Sequence, residues 1–151
     1  MDLHEEFESA HREHDEILEF LEGFEKELRL LEDDDSDIRH VGLTRLRSME
    51  ERIANICEHC KREEEDPDSP LFRFAQESDR GRMKDEHFRL YRANYEFRRE
   101  MEFTTISYTD DLVLLGQKLL STLRGHILYE EGLLKRFEKD RAFSAFAVAH
   151  S

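Results

Sequence analysis

The stretch from Asp2 to Leu31 reads DLHEEFESAHREHDEILEFLEGFEKELRLL and decides the fold class. A set of mostly apolar positions recurs in it at alternating spacings of three and four residues, which puts them on one face of an α-helix. These positions are Leu3, Phe7, Ala10, His14, Ile17, Leu21, Phe24, Leu28 and Leu31. Asp2 and Glu5 have the spacing of a capping box, so the helix is predicted to begin there.

Three further stretches have the same periodicity. The second is predicted at about residues 37–65, between the helix-breaking run 33–36 and the prolines Pro67 and Pro70, which cannot continue a helix. The third spans about 78–101, and the fourth opens at Thr109 and runs to about 139. Four amphipathic helices with short connections predict one all-α domain over residues 1–151, an up-down-up-down four-helix bundle at about 2–139. Residues 140–151 are predicted to be a short tail that either packs across the bundle or frays.

Composition excludes several classes of partner. The formal net charge of −14 argues against nucleic acid and against anionic lipid, since both need clustered Lys and Arg. Apolar runs stay well below the ~18–20 residues of a membrane span, and the charged start 1–5 does not resemble a signal peptide. Cys57 and Cys60 lie three residues apart in one helical stretch, which disfavours a disulfide framework. A cytoplasmic protein with no membrane association is expected.

Each predicted helix carries one histidine on its apolar face. These residues are His14, His59, His87 and His126. Glutamates follow two of them at a spacing of four residues, Glu63 after His59 and Glu130 after His126. Residues four apart lie one turn above each other on the same helix face, so each pair can reach one metal cluster.

This spacing alone is not specific in so acidic a chain. His4 and Glu8 share it, and so do His11 and Asp15, but both pairs lie off the apolar face and are predicted to be solvated surface. Glu63 and Glu130 differ because buried carboxylates are costly unless they are paired or bind a metal. In an up-down bundle, the starts of the first and third helices lie beside the ends of the second and fourth. All six side chains therefore fall in one layer near one end.

Imidazole and carboxylate donors without thiolate suit iron or manganese rather than a structural zinc ion. Two histidines for each metal and two shared carboxylates would make a dinuclear site. A ferritin-like site would instead need Glu-x-x-His pairs. The residues three before the four histidines are His11, Ile56, Lys84 and Leu123, so the ferritin-like pattern is absent.

Four segments together carry a family resemblance: 13–17 (EHDEI), 58–64 (EHCKREE), 86–87 (EH) and 126–131 (HILYEE). In this order they resemble the hemerythrin-like, cation-binding HHE domain, over about residues 2–139. The resemblance implies two iron ions joined by an oxo or hydroxo bridge. It also implies terminal ligands at His14, His59, His87 and His126, with bridging carboxylates at Glu63 and Glu130.

One departure bears on function. Oxygen-carrying hemerythrins have a fifth histidine one turn from the third-helix ligand, where this chain has Met83 and Tyr91. The six-ligand set is instead similar to the di-iron domain of iron–sulfur-cluster repair proteins and to the iron-sensing hemerythrin domain of an animal ubiquitin ligase. The cysteine-bearing amino-terminal domain of the repair proteins has no counterpart in this sequence.

The resemblance favours a protein that binds, senses or reacts with O₂ or NO at an open iron position. The alternatives are a di-iron enzyme that decomposes peroxide or reduces NO, and a supplier of iron for cluster repair. Whether the chain is an enzyme stays open at this point.

Several other residues have two interpretations. Cys57 and Cys60 are expected to be small buried side chains; the alternative puts Cys60, which is nearer the apolar face, beside the metal ligands. Tyr91 either hydrogen-bonds to the centre or is an ordinary half-buried tyrosine, and Asn94 either orients a ligand or sets helix register. The glycines of the fourth helix, Gly116, Gly125 and Gly132, mark close helix approach or a gap for a small gas.

Overall fold

The computed structural model is all-helical over the part of the chain that it describes, which is the backbone of residues 2–150 and the side chains of residues 2–142. Five helices pack together: α1 (Leu3–Leu30), α2 (Ser36–Glu65), α3 (Pro70–Phe74), α4 (Glu77–Phe103) and α5 (Asp110–His150). The four long helices agree with the predicted stretches to within two residues at each end, except at the end of α5.

The helix starts follow the polar residues seen in the sequence. The Asp2 carboxylate accepts a hydrogen bond from the Glu5 amide at 2.8 Å, and the Glu5 carboxylate accepts from the Asp2 amide at 3.3 Å, which completes the predicted capping box. At α2, the Asp35 carboxylate accepts from the Asp37 amide at 2.8 Å. The acidic run after α1 therefore ends one helix and caps the next.

Helix α3 was not predicted. Pro67 and Pro70 were expected only to end the second helix, which they do, but Pro70 also occupies the first turn of α3. Proline suits that position because its φ is already helical and the missing N–H would have no partner within the helix. Leu71 is buried, so this short helix closes one end of the core.

Helix α5 continues past the predicted end near residue 139 and extends to His150. The backbone of residues 140–150 therefore continues α5, and whether this part packs across the bundle or frays stays a prediction. The packing of the apolar side chains at 143, 146 and 148 lies outside the described residues.

The long helices contact each other in the order α1–α2–α4–α5 and back to α1. Side-chain pairs from opposite ends of adjacent helices show that α1 runs antiparallel to α2, and α4 to α5. The pairs are Glu13–His59, Glu27–Arg45, Asp79–Arg136 and Glu96–Lys118. Helices α1 and α5 are also antiparallel, because Leu31 contacts Thr109 whereas His11 contacts Glu131. In the described part of the chain, no helix is long and apolar enough to cross a membrane.

The buried apolar residues form two separate clusters. The main core contains most of them and runs from Ile17 on α1 to Leu31, just past its end, and from Leu112 to Ile127 on α5. The end cluster consists of Phe7, Ala10, Leu71, Ala75, Met83, Leu133, Leu134 and Phe137. Between the two, α1 carries His14, α4 carries His87 and α5 carries Glu130. A layer of polar side chains thus divides the core near one end.

Gly116 lies where α5 approaches α1 most closely among the α5 glycines. A Cβ atom there would lie 2.5 Å from Leu28 Cδ2, whereas one at Gly125 or Gly132 would meet nothing within 4 Å. We expect Gly116→Ala to lower the free energy of unfolding by about 1–3 kcal/mol, because the buried Leu28 must shift. Gly132→Ala is the control and should raise it by up to about 1 kcal/mol, through helix propensity. Urea unfolding of both variants checks this, and equal changes would contradict the close approach.

Candidate metal centre

Unpartnered polar atoms are concentrated in the layer between the two apolar clusters. Among the described side chains, nine buried nitrogen or oxygen atoms lack a hydrogen-bond partner, and seven of them belong to this layer. The seven are His14 Nε2, Glu63 Oε2, Glu64 Oε1, His87 Nδ1, His126 Nε2 and both carboxylate oxygens of Glu130. Buried polar atoms are normally paired, so a cluster of unpaired ones marks the layer as a candidate site for a bound ion or for water molecules.

Glu130 occupies the middle of the layer and is completely buried. Its Oε1 lies 3.7 Å from His14 Nε2 and 3.7 Å from His126 Nε2. One carboxylate therefore faces imidazoles on two sides. Glu63 Oε2 lies 3.9 Å from the same His14 nitrogen, and ligand atoms of His14, Glu63 and Glu130 all lie within 4.8 Å of one another.

His59 lies at the edge of the layer, with about a third of its side chain exposed. Its Nε2 lies 3.1 Å from Glu63 Oε1 and 2.8 Å from Glu13 Oε2. The three residues form a second group of mutually close ligand atoms. His59 also lines a surface groove of about 280 Å³ together with Glu13.

His87 lies on the opposite side, on α4. Its Nδ1 is buried without a partner, and its side chain lines a cavity of about 350 Å³ together with Glu64 and Met83. Burial lowers the pKa of His87, which favours the neutral imidazole that metals bind. Five of the six predicted residues thus each lie within 4 Å of another member of the set. The sixth, His87, lines the neighbouring cavity.

Glu64 is a member of the layer that the spacing rule missed. Its Oε1 comes within 2.5 Å of His126 Nε2 without hydrogen-bond geometry, and its side chain is 8% exposed. Consecutive helical residues point about 100° apart, so Glu63 faces α1 while Glu64 faces α5. The feature of the sequence that could have revealed Glu64 is the adjacent pair Glu63-Glu64, because α2 contacts other helices on two sides.

Two carboxylates outside the layer hold the buried histidines. Glu131 Oε1 lies 2.5 Å from His14 Nδ1, and Glu86 Oε1 lies 3.1 Å from His126 Nδ1. An ionised carboxylate only accepts hydrogen bonds, so each Nδ1 carries a proton and each Nε2 is the nitrogen that faces the layer, free to bind a metal once it is deprotonated. This arrangement of carboxylate, imidazole and open nitrogen is the one that orients histidine ligands in metal sites.

The sequence analysis predicted His11 on the solvated surface, and this prediction was wrong. Three quarters of its side chain is buried, and it pairs with Glu131 at 2.8 Å and with Glu138. The periodicity of α1 could not reveal this, because both partners are on α5. The prediction was confirmed for His4 and Glu8, an exposed pair 3.1 Å apart.

The buried carboxylates and imidazoles of the layer shift each other's pKa values. Burial raises the pKa of Glu130 well above its usual range. For His126, burial opposes protonation, but the carboxylates of Glu64 and Glu130 prevail and raise its pKa to about 9. Hydrogen bonding to Glu63 likewise raises the pKa of His59 to about 9. Without a metal ion, protons on the imidazoles therefore balance the carboxylates.

The remaining candidates divide. Cys57 and Cys60 are both buried free thiols, and burial raises the pKa of Cys57 to about 12. Tyr91 is 60% exposed, so neither of its predicted interpretations is correct. Asn94 is buried, and its Oδ1 is one of the two unpartnered atoms outside the layer. Met83 packs in the end cluster. Neither Met83 nor Tyr91 has a side-chain nitrogen, so neither position one turn from His87 offers an imidazole-like ligand.

Comparisons of the chain with protein-family models, with curated proteins and with solved structures gave no match. Support for a function therefore comes from the geometry of this chain. The donor set fits a metal ion: its atoms are nitrogens and carboxylate oxygens, several are buried without partners, and orienting carboxylates hold two of the imidazoles. Such donors suit iron and manganese.

Proposed function

We propose that this chain is a hemerythrin-like up-down-up-down four-helix bundle that binds two iron ions and reacts through them with O₂ or NO. The ligands in this proposal are His14, His59, Glu63, His87, His126 and Glu130, with Glu64 as an addition. The observation that carries it is the convergence of seven unpartnered buried donor atoms from four helices in one layer. The cost of burying carboxylates explains why a cation is needed there.

The distances favour two metal positions that share Glu130. The first would be held by His14, His59 and Glu63, and the second by His126, His87 and Glu64. Glu130 Oε1 lies 3.7 Å from each of the two buried imidazoles, so Glu130 would be shared by both positions. Glu63, whose close partners are His14 and His59, is the second bridging candidate by resemblance.

Reactivity follows from openness on two sides. Bound iron would supply redox chemistry and an open coordination position for a small ligand. The groove at His59, of about 280 Å³, and the cavity at His87, of about 350 Å³, would serve as routes for a small ligand, and the main core and the end cluster flank the layer with apolar side chains. Small neutral molecules such as O₂ and NO suit these routes.

The test is rapid mixing of the reduced, iron-loaded protein with O₂ or NO. We expect a fast change in the optical spectrum with each gas, and irreversible oxidation by O₂, since Met83 and Tyr91 replace the fifth histidine. A spectrum that returns to its starting form under argon would instead identify an oxygen carrier. Repeated turnover with a reductant would identify the di-iron enzyme. No change with either gas would contradict the proposed function.

The orienting carboxylates yield a separate prediction. Glu131→Ala removes the acceptor of His14 Nδ1, and Glu86→Ala that of His126 Nδ1, so each should weaken metal binding roughly 10–100-fold. Glu96→Ala is a matched control, because Glu96 pairs with Arg92 four residues earlier just as Glu86 pairs with Arg82, and its partners are Arg92 and Lys118 rather than a histidine. Competition titration with a chromophoric chelator measures the affinities. Equal affinity in the Glu86 and Glu96 variants would exclude the orienting role.

A further inference from the structure

Cys60 lies against the metal centre on the side of the main core. Its sulfur, one nitrogen of His126 and one oxygen of Glu130 lie within 4.8 Å of one another. All three side chains are at most 1% exposed. Cys60 precedes Glu63 by three residues and Glu64 by four, so helix geometry puts the thiol on the same face of α2 as both carboxylates.

The neighbours of the thiol themselves call for a cation. His126 Nε2 and both oxygens of Glu130 are buried without a hydrogen-bond partner, and Glu86 holds the proton of His126 on the other ring nitrogen. The sulfur thus adjoins one imidazole nitrogen and one carboxylate that already face the second metal position. Cys57, the other buried cysteine, belongs to none of the three groups of close ligand atoms found among the described residues.

We propose that Cys60 is a thiolate ligand of the second metal position, which makes the two positions chemically different. The inference rests on the proposed di-metal centre. On binding, the sulfur–hydrogen bond breaks, the proton leaves to solvent and a sulfur–metal bond forms, with no change of oxidation state. The first position then has only nitrogen and oxygen donors, whereas the second combines these with a soft sulfur donor.

A difference in metal preference follows. Thiolate favours softer ions such as Zn²⁺ and Co²⁺, whereas a site of imidazoles and carboxylates suits iron and manganese. The second position should therefore retain Co²⁺ or Zn²⁺ more strongly than the first. Replacing the sulfur by oxygen should reduce this difference.

The experiment titrates the metal-free full chain with Co²⁺, whose thiolate complexes absorb by charge transfer in the near ultraviolet. We expect two Co²⁺ per chain and a thiolate-to-cobalt band, which Cys60→Ser and Cys60→Ala abolish and Cys57→Ser retains. Far-ultraviolet circular dichroism before titration confirms that each variant is folded, and the two Cys60 variants differ in polarity, so a packing effect of one does not decide the result.

Two outcomes would overturn the inference. Two bound Co²⁺ without a charge-transfer band in the natural sequence would leave the di-metal centre standing and exclude Cys60 as a ligand. A band that survives in both Cys60 variants would exclude it as well. Failure of the natural sequence to bind Co²⁺ at all would instead count against the metal centre itself.

Discussion

Replacing His126 or Glu130 by alanine should remove most of the bound metal. Among the described contacts, only Glu130 has an oxygen close to both buried imidazoles, at 3.7 Å from His14 and 3.7 Å from His126. Its loss should therefore affect both proposed metal positions. His126 has its Nε2 aimed into the layer and its Nδ1 held by Glu86. We expect the metal affinity to fall by more than the roughly 10–100-fold drop that follows from removing an orienting residue, so that dialysed protein keeps little metal. Elemental analysis of dialysed protein measures the metal content.

The chain contains its own control for this prediction. His4 and Glu8 have the same four-residue spacing as His126 and Glu130, but they form an exposed pair on α1. His4→Ala and Glu8→Ala should leave the metal content unchanged. If the surface variants lost as much metal as the buried ones, the bound ions would belong to the acidic surface instead.

Metal removal should lower the stability of the folded chain markedly. A ligand present at about 1,000 times its dissociation constant stabilises the folded state by about 4 kcal/mol, which corresponds to roughly 10 °C in melting temperature for a domain of this size. Chelation removes this term and leaves the buried carboxylates to be balanced by protons alone. Thermal unfolding of metal-loaded and metal-free protein, followed by circular dichroism, measures the difference.

This difference should grow as pH rises from 6.5 to 9. In the metal-free protein the pKa of His126 is about 9, above the ordinary value of 6.5. Its contribution to stability is therefore complete below pH 6.5 and is lost as pH rises through 9. The raised pKa of Glu130 acts in the same direction, because the folded state favours its neutral form and loses stability as pH rises above 4.5. Metal-loaded protein should escape this loss, since ions replace the protons.

At low pH the stability difference between metal-loaded and metal-free protein should shrink, because protons compete with metal for the imidazoles. Metal should be released as pH falls below the usual range of histidine. If the metal-free and metal-loaded forms melted at the same temperature at pH 8, the ions would not bind in the buried layer.

Periodicity predicted the long helices because each one buries a single face. The alternation from Leu3 to Leu31 and the Asp2–Glu5 capping box are local features, and local features can be read from one segment. Helix α3 escaped prediction because proline both ends one helix and starts another. The full length of α5 escaped because no proline or glycine marks its end in the sequence.

The candidate site could be predicted only as far as helix faces determine it. His14 and His126 lie on apolar faces and are buried, so the spacing alone found them, whereas His59 and His87 are only partly buried. The partners of these residues come from other helices: Glu131 for His14, Glu86 and Glu64 for His126. The period of one helix defines its face but not which neighbour that face meets. The expectation of a solvated surface was wrong for His11 for the same reason, because its partners Glu131 and Glu138 are on α5.

The most direct measurement of the central claim is anomalous X-ray scattering at the iron absorption edge, from crystals of the iron-loaded protein. We expect two peaks in the layer between the main core and the end cluster, about 3.5–4 Å apart as in other two-metal sites. Glu130 should lie between them, with His14 beside one peak and His126 beside the other. A layer without iron, or iron only among exposed carboxylates, would contradict the di-iron centre.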